Sequence, residues 1–280
     1  MNQHSHIIDT GEVKLFVSTA GEGPDLMFLH GLGWNHHLWD RAFLRYSDCY
    51  RVIAGDTRGH GHSEQPDGPY SIPMFAEDWL IVLDQMGIEQ AILVGFSQGG
   101  MVAMQMAIQQ PERFPALVLA CTTCCTPSAV SNNMQQRMAT LDRLGALETA
   151  KLAGQSIFSS RFIEQNPGYI AQFIHQRAAA NQTALKHAMA AVIGFDVCRH
   201  LATLSQPCWV IAGEQDTLTP PNAVETVHRH LAHSNYVCIP NAGHMIPIEQ
   251  PELFYHQIDA ALEQWRTATP PLSLFSTQGA

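Results

Sequence analysis

Ala91-Ile92-Leu93-Val94-Gly95-Phe96-Ser97-Gln98-Gly99-Gly100-Met101 begins as a short apolar run and ends in a glycine-framed serine. Four consecutive apolar residues closed by glycine suit a buried strand. Gly95-Phe96-Ser97-Gln98-Gly99 is a G-x-S-x-G pattern, which between a strand and a helix forms a sharp turn that lifts the serine hydroxyl above the sheet. Glycine is required on both sides because the turn brings strand and helix too close for side chains at 95 and 99. The helix opening after Ser97 points its positive dipole end at the hydroxyl and favours negative charge developing there.

The surroundings repeat this pattern of apolar run and loop. Residues 7 to 19 suit two short strands around Gly11, a hairpin at a sheet edge. Leu26-Met27-Phe28-Leu29 leads into His30-Gly31-Leu32-Gly33, and Val52-Ile53-Ala54 leads into Gly55-Asp56-Thr57-Arg58-Gly59-His60-Gly61-His62-Ser63. Ser71 and Pro73 signal a helix start, and Phe75, Trp79, Val82, Leu83 and Met86 share one face before Gly87 stops it. Gly99, Ala103 and Ala107 give the helix behind Ser97 a small-residue stripe for close packing. Ala116 to Ala120, Cys208 to Ile211 and Tyr236 to Ile239 are further strands. A helix through Val224, Val227 and Leu231 and a last one burying Phe254, Ile258, Leu262 and Trp265 complete the alternation. Such alternation predicts an α/β fold, a mostly parallel sheet with helices on both faces and ligands at the carboxyl ends of the strands.

Residues 127–205 interrupt the alternation. Met134, Met138, Leu141 and Leu144 share a helical face; Asn166-Pro167 opens a second helix with Ile170, Phe173 and Ile174 inward; Leu185, Met189, Val192 and Ile193 mark a third; Asp196 is placed to cap a fourth. The expected organisation is a core of residues 1–126 and 206–266, an all-helical lid over 127–205, and a loose tail over 267–280.

A serine hydroxyl needs a base to become a nucleophile, and the base needs a carboxylate to hold its tautomer. Gly213-Glu214-Gln215-Asp216 and Asn241-Ala242-Gly243-His244 each follow a later strand. Ser97, Asp216 and His244 then stand in the order of one known triad arrangement, with Glu214 as a rival carboxylate expected to face solvent. The backbone N–H groups of Gln98 and Leu32 are candidate oxyanion donors. Trp34, Phe96 and Met245, beside these motifs, are candidates to line an apolar substrate pocket. His36 and His37 could rim the pocket or cap a helix.

On His30-Gly31-Leu32-Gly33, the Asp56–Ser63 loop, Gly95-Phe96-Ser97-Gln98-Gly99-Gly100, Gly213-Glu214-Gln215-Asp216 and Gly243-His244, the chain resembles the α/β-hydrolase fold superfamily along nearly its whole length. It looks most like small capped enzymes: 3-oxoadipate enol-lactonases, carboxylesterases, cofactor-free haloperoxidases and meta-cleavage carbon–carbon hydrolases. The resemblance implies eight strands with the second antiparallel and a helical lid after the sixth. It implies Ser97 as nucleophile, Asp216 as acid and His244 as base. The expected reaction is hydrolysis of a small carboxylic ester or lactone through an acyl-enzyme. A carbon–carbon hydrolase, an acyltransferase and a perhydrolase on the same triad are the alternatives, with a non-enzymatic receptor as the rival from another class. No cofactor or metal is expected; for the His60-Gly61-His62 pair the resemblance implies a structural loop.

Bulk properties narrow the partners. A net charge of -10 with no basic block speaks against nucleic acid. The first residues lack a signal-peptide pattern and no apolar run reaches the roughly 18 residues of a membrane span, so a cytoplasmic protein is expected. Seven cysteines without framework spacing are expected to be reduced thiols; Cys121, Cys124 and Cys125 resemble a zinc spacing only loosely. Charge is unevenly spread: residues 127–205 hold seven Lys and Arg against four acidic residues, net +3, while the rest of the chain is at -13. A basic lid over an acidic body could draw an anionic substrate to one of the lid arginines.

Overall fold

The apolar runs become the strands of one sheet in the computed structural model, which describes residues 3–268. In chain order the elements are β1 (Gln3–Asp9), β2 (Lys14–Ala20), β3 (Asp25–Leu29), α1 (Asp40–Tyr46), β4 (Arg51–Gly55), α2 (Ile72–Gln85), β5 (Ile92–Phe96), α3 (Gln98–Gln109) and β6 (Leu117–Ala120). Next come α4 (Ser128–Ile157), α5 (Ser160–Gln165), α6 (Pro167–Ala179), α7 (Gln182–Ala190) and α8 (Cys198–Leu201). The chain closes with β7 (Cys208–Gly213), α9 (Pro221–His230), β8 (Ser234–Ile239), α10 (Ile246–Glu249) and α11 (Pro251–Ala268).

The eight strands are ordered β1-β2-β4-β3-β5-β6-β7-β8. Only β2 runs against its neighbours β1 and β4, and from β4 to β8 the pairing is parallel. The chain crosses from one side of β3 to the other between β4 and β5. The loops that follow β3 and β5 therefore flank a switch point, where open sheets of this kind form their clefts.

Strand residues alternate between two cores, as a period of two demands. Met27, Leu29 and Leu93 pack with Phe75, Trp79 and Val82 of α2, Val102 and Met106 of α3, and Val224 and Val227 of α9. Leu26, Phe28, Ile92, Val94 and Phe96 pack on the other face with Phe43 and Tyr46 of α1 and with Phe254, Ile258 and Leu262 of α11. Ala103 and Ala107 are fully buried, so α3 lies close on the sheet. Ser71 caps α2 by accepting the Met74 N–H at 3.2 Å.

The segment between β6 and β7 is helical as expected, with one isolated bridge, Cys125 to Asp196, at its base. Its first helix is longer than the apolar pattern suggested and is broken at Gly145, whose φ of +78° suits glycine. That break explains one correction. Leu144 does not share the buried face of Met134 and Leu141 but is 44% exposed, because the chain leaves the helix beside it. Asp196 is not the cap expected of it: Val197 holds that position without a side-chain bond, and Asp196, one residue earlier, makes a local turn in which its carboxylate accepts the Cys198 N–H at 3.1 Å. Of the expected tail, 267 and 268 belong to α11 and the remainder lies outside the described residues. Among the described residues, no helix is long and apolar enough to cross a membrane.

The expectation of seven reduced thiols is corrected at two positions. Cys124, in the loop after β6, and Cys198, opening α8, form a disulfide across 74 residues. The reason is topological: the Val197 N–H donates to the Cys124 carbonyl at 2.8 Å, so the two ends of the helical segment run side by side. Cys49, Cys121, Cys125, Cys208 and Cys238 are free.

Candidate active site

Ser97 sits where β5 turns into α3, at φ +54° and ψ -119°, a conformation rare for a residue with a side chain. The packing that enforces it is visible at the flanking glycines. A Cβ on Gly95 would run into the backbone of Gly99 and Gly100, and one on Gly99 into the carbonyl oxygens of Leu29 and His30. The Ser97 N–H donates to the Ala120 carbonyl at 2.8 Å, and Thr122 Oγ1 donates to the Ser97 carbonyl at 2.8 Å. The elbow is thus tied to the neighbouring strand at both of its peptide groups.

The loops after β7 and β8 bring the other two residues to the same place. His244 Nε2 lies 2.9 Å from Ser97 Oγ and His244 Nδ1 lies 2.7 Å from Asp216 Oδ2. A carboxylate only accepts, so the Nδ1 proton faces Asp216 and the Nε2 lone pair faces the hydroxyl. Asp216 Oδ1 accepts the N–H groups of Leu218 and Thr219 at 2.8 and 2.9 Å. Burial alone would push the Asp216 carboxyl up, but His244 and the Thr219 donors outweigh it and hold the group below its ordinary value. Glu214, the rival, is exposed and accepts the Asn241 N–H at 2.8 Å.

Two positioning groups were not anticipated. Thr219 Oγ1 lies 2.6 Å from Asp216 Oδ2 and 3.2 Å from His244 Nδ1. Glu249, in α10, gathers the N–H groups of Ser159, Gly243 and Met245 at 3.0, 3.1 and 3.2 Å. With the Ile157 carbonyl, which accepts the His244 N–H at 2.9 Å, it clamps the histidine loop against the end of α4. These contacts span distant parts of the chain; the only local hint was the D-x-x-T spacing of Asp216 and Thr219, which suits a side-chain turn.

The Leu32 and Gln98 amides lie in the two loops that meet at Ser97. His30 Nδ1 lies 2.8 Å from the Gly31 carbonyl, and its Nε2 accepts the Thr57 N–H at 3.0 Å, so Nδ1–H is the donor. The Trp34 N–H donates to the same carbonyl at 3.1 Å. A trans peptide directs its N–H opposite to its C=O, so the Leu32 amide is turned away from these partners. Gly31 packs on Phe96 and on the Ser97 Cβ, bringing this loop beside the elbow. Gln98 opens α3, where the first N–H groups have no partner in the helix. Its side chain is engaged elsewhere, with Nε2 donating to the Ala188 carbonyl of α7 at 2.8 Å.

A cavity of about 250 Å³ opens on Ser97 and His244, lined by Leu32, Trp34, Phe96, Gln98 and Leu218 and roofed from α4 and α6 by Met134, Arg137 and Arg177. Trp34 stacks on Phe173 with ring centroids 5.6 Å apart. Trp34 and Phe96 thus border the cavity as expected of pocket residues, whereas Met245 does not. It is fully buried in the core beside Phe254, because Glu249 and Ile157 hold the turn after His244 with that side chain inward. A larger open groove of about 1300 Å³ lies at the amino ends of the strands, between Tyr46, Gln90 and Trp265, far from this chemistry.

Four further histidines read from the sequence lie in and around the loops after β3 and β4. His36 is buried against Asp56 at 2.8 Å, and His37 is an exposed partner of Asp40. His60 is buried beside the His30 ring while His62 is exposed, so the two do not converge on one point. Cys121 is buried beside Asp216, and burial together with that charge pushes its thiol well up, keeping it neutral.

Residues 24–251 match the family model described as alpha/beta hydrolase fold, and the chain belongs to that family. It is 32% identical to 3-oxoadipate enol-lactonase 2 of Acinetobacter baylyi, over 91% of this chain and 95% of the relative. It is 28% identical to the pimeloyl-[acyl-carrier protein] methyl ester esterase of Aeromonas salmonicida, over 86% of this chain and 96% of the relative. Among solved structures, a hydrolase from Pseudomonas aeruginosa superposes with a TM-score of 0.86 at 28% identity, covering 92% of this chain and 98% of that one. The enol-lactonase of Burkholderia xenovorans shares the fold at a TM-score of 0.87 and 23% identity, covering 92% and 100%.

Proposed function

We propose that the chain is a serine hydrolase that cleaves a small carboxylic ester or lactone through an acyl-enzyme. The observation that carries this is the relay from Asp216 through His244 to Ser97, at 2.7 and 2.9 Å. His244 Nε2 takes the Ser97 proton as Oγ attacks the carbonyl, and the Leu32 and Gln98 amides bind the oxyanion. Collapse of the tetrahedral intermediate expels the alkoxide, which takes the proton from His244. Water then gives its proton to His244, attacks the acyl group, and releases the acid and Ser97. Asp216 keeps the imidazole oriented and stabilises its charged form. The bond class is supported by the relatives, which are named as a lactonase and a methyl ester esterase.

On the same reading residues 127–205 act as a cap over a core of 1–126 and 206–266. The test is a panel of nitrophenyl esters and lactones of graded acyl length, with mass spectrometry of rapidly quenched enzyme. An acyl adduct on the peptide carrying Ser97 is expected. Turnover with the label on another residue, or with no adduct under single-turnover conditions, would reject the mechanism.

A further inference from the structure

Two guanidinium groups stand in the wall of this cavity without a counter-ion among the described residues. Arg137 of α4 and Arg177 of α6 line the space that holds Ser97. Both also line a second chamber of about 230 Å³ under the inserted helices, together with Thr140, Thr149, Gln182 and Met189. The arginines, with Leu32, thus border both spaces.

Their hydrogen bonds go to neutral oxygens. Arg137 Nη2 donates to Ser156 Oγ at 3.0 Å, and Arg177 Nη2 donates to the Leu32 carbonyl at 3.2 Å. Arg177 Nε is sealed from solvent with no acceptor among the described residues. Other cations of the chain are treated differently. Arg58, which is buried, is held by both oxygens of Asp78 at 2.7 and 2.8 Å, and Lys186 of the same helical segment pairs with Asp142 at 2.7 Å. For Arg177, burial and then the neighbouring Arg137 push the pKa down to about 10, and burial lowers Arg137 as well; among the described residues no acid offsets either. Both remain charged at neutral pH.

An enclosed pair of like charges without a carboxylate is unfavourable in the empty protein and complementary to an incoming anion. A guanidinium presents a planar fork that matches the two oxygens of a carboxylate. Arg177 also packs over Gly33, where a Cβ would overlap its guanidinium, so the fork sits directly above the Leu32 loop. We propose that Arg137 and Arg177 form an anion subsite that binds a second, ionised carboxylate of the substrate, remote from the bond that is cleaved. This rests on the serine hydrolase reading and narrows it: the substrate class is a half-ester or lactone acid rather than a neutral ester.

Matched substrates test it. Nitrophenyl half-esters of succinic, glutaric and adipic acid are compared with nitrophenyl esters of equal chain length that end in methyl. The expected result is a kcat/KM preference of about 100-fold for one of the half-esters, the scale of a desolvated charge-assisted bond. It should fall below about fivefold in Arg177→Met or Arg137→Met, through KM, and recover in part in Arg177→Lys. Absence of a preference in the active wild-type protein overturns the subsite, as does a preference that both methionine variants retain. Turnover of neither ester class would instead reject the hydrolase reading. Calorimetric titration of the wild-type protein with glutarate and adipate then decides the subsite alone: binding that both variants lose supports it, and no binding overturns it. Thermal melts establish that each variant is folded, and Arg177→Lys stands in for any that is not.

Discussion

Ser97 Oγ and His244 Nε2 meet at 2.9 Å although 147 residues separate them in the chain. On the proposed mechanism, replacing either atom removes the nucleophile or its base. Ser97→Ala is expected to abolish ester turnover and labelling by a serine-directed phosphonate. Asp216→Asn should keep the fold and lower kcat by about 10⁴-fold, because an amide in that place admits the wrong imidazole tautomer. Retained activity in Ser97→Ala would leave the catalytic proposal without a basis.

Thr219 supplies a hydroxyl to the carboxylate that orients the base, at 2.6 Å. Thr219→Val keeps the shape and removes the donor. The loss of one hydrogen bond to a charged group should lower kcat by about tenfold with little change in KM, and Thr219→Ser should restore most of it. Equal kcat in the valine and wild-type proteins would show that the hydroxyl only fills space.

Acid should destabilise the fold through two buried imidazoles, His30 and His60. Burial, with a smaller contribution from nearby His30, pushes His60 down to about 3, and burial also lowers His30 despite the offsetting charge of Asp56. The unfolded chain protonates each imidazole near pH 6.5. Between that pH and about 3 the unfolded state therefore binds more protons, so stability is full above pH 6.5 and falls as pH is lowered. For His60 alone the loss from pH 7 to pH 5 is about 2 kcal/mol. Urea unfolding at the two pH values should show it, and His60→Gln should flatten the difference. A slope unchanged in that variant would refute the assignment.

The Cys124–Cys198 bridge closes a loop of 74 residues around the inserted helices. Chain-entropy reasoning gives such a bridge at most about 4.5 kcal/mol of stabilisation. Cys198→Ser, or reduction by a dithiol, should lower the melting temperature, and the reductant should have no further effect on the variant. A melt indifferent to both would mean that the bridge contributes nothing to folding.

Much of the site was legible because it rests on local rules. Glycines at 95 and 99 mark where backbone meets backbone, and strand ends mark where Asp216 and His244 emerge, so both could be read from short stretches. Met245, Thr219, Glu249 and the paired cysteines could not. Met245 follows His244 directly, but its direction is set by Ile157 and Glu249, which clamp the turn from elsewhere. Cys124 and Cys198 are neighbours only because the helical segment starts and ends at one point of the sheet. The charge imbalance of residues 127–205 was visible in the sequence, but which of its arginines lack acids depends on how α4, α6 and α7 lean together.

Gln98 follows Ser97 directly, and its side chain grips α7 at the Ala188 carbonyl. Together with the Ile157 carbonyl under the His244 loop, this ties the helical segment to the Ser97–His244 site, and on the proposed mechanism makes it a structural part of the machinery. Transplanting residues 128–201 from a relative to change selectivity would therefore disturb the machinery as well as the specificity. A working chimera would have to carry position 98 along with the graft, and preserve an acceptor at the seam where Ile157 now stands.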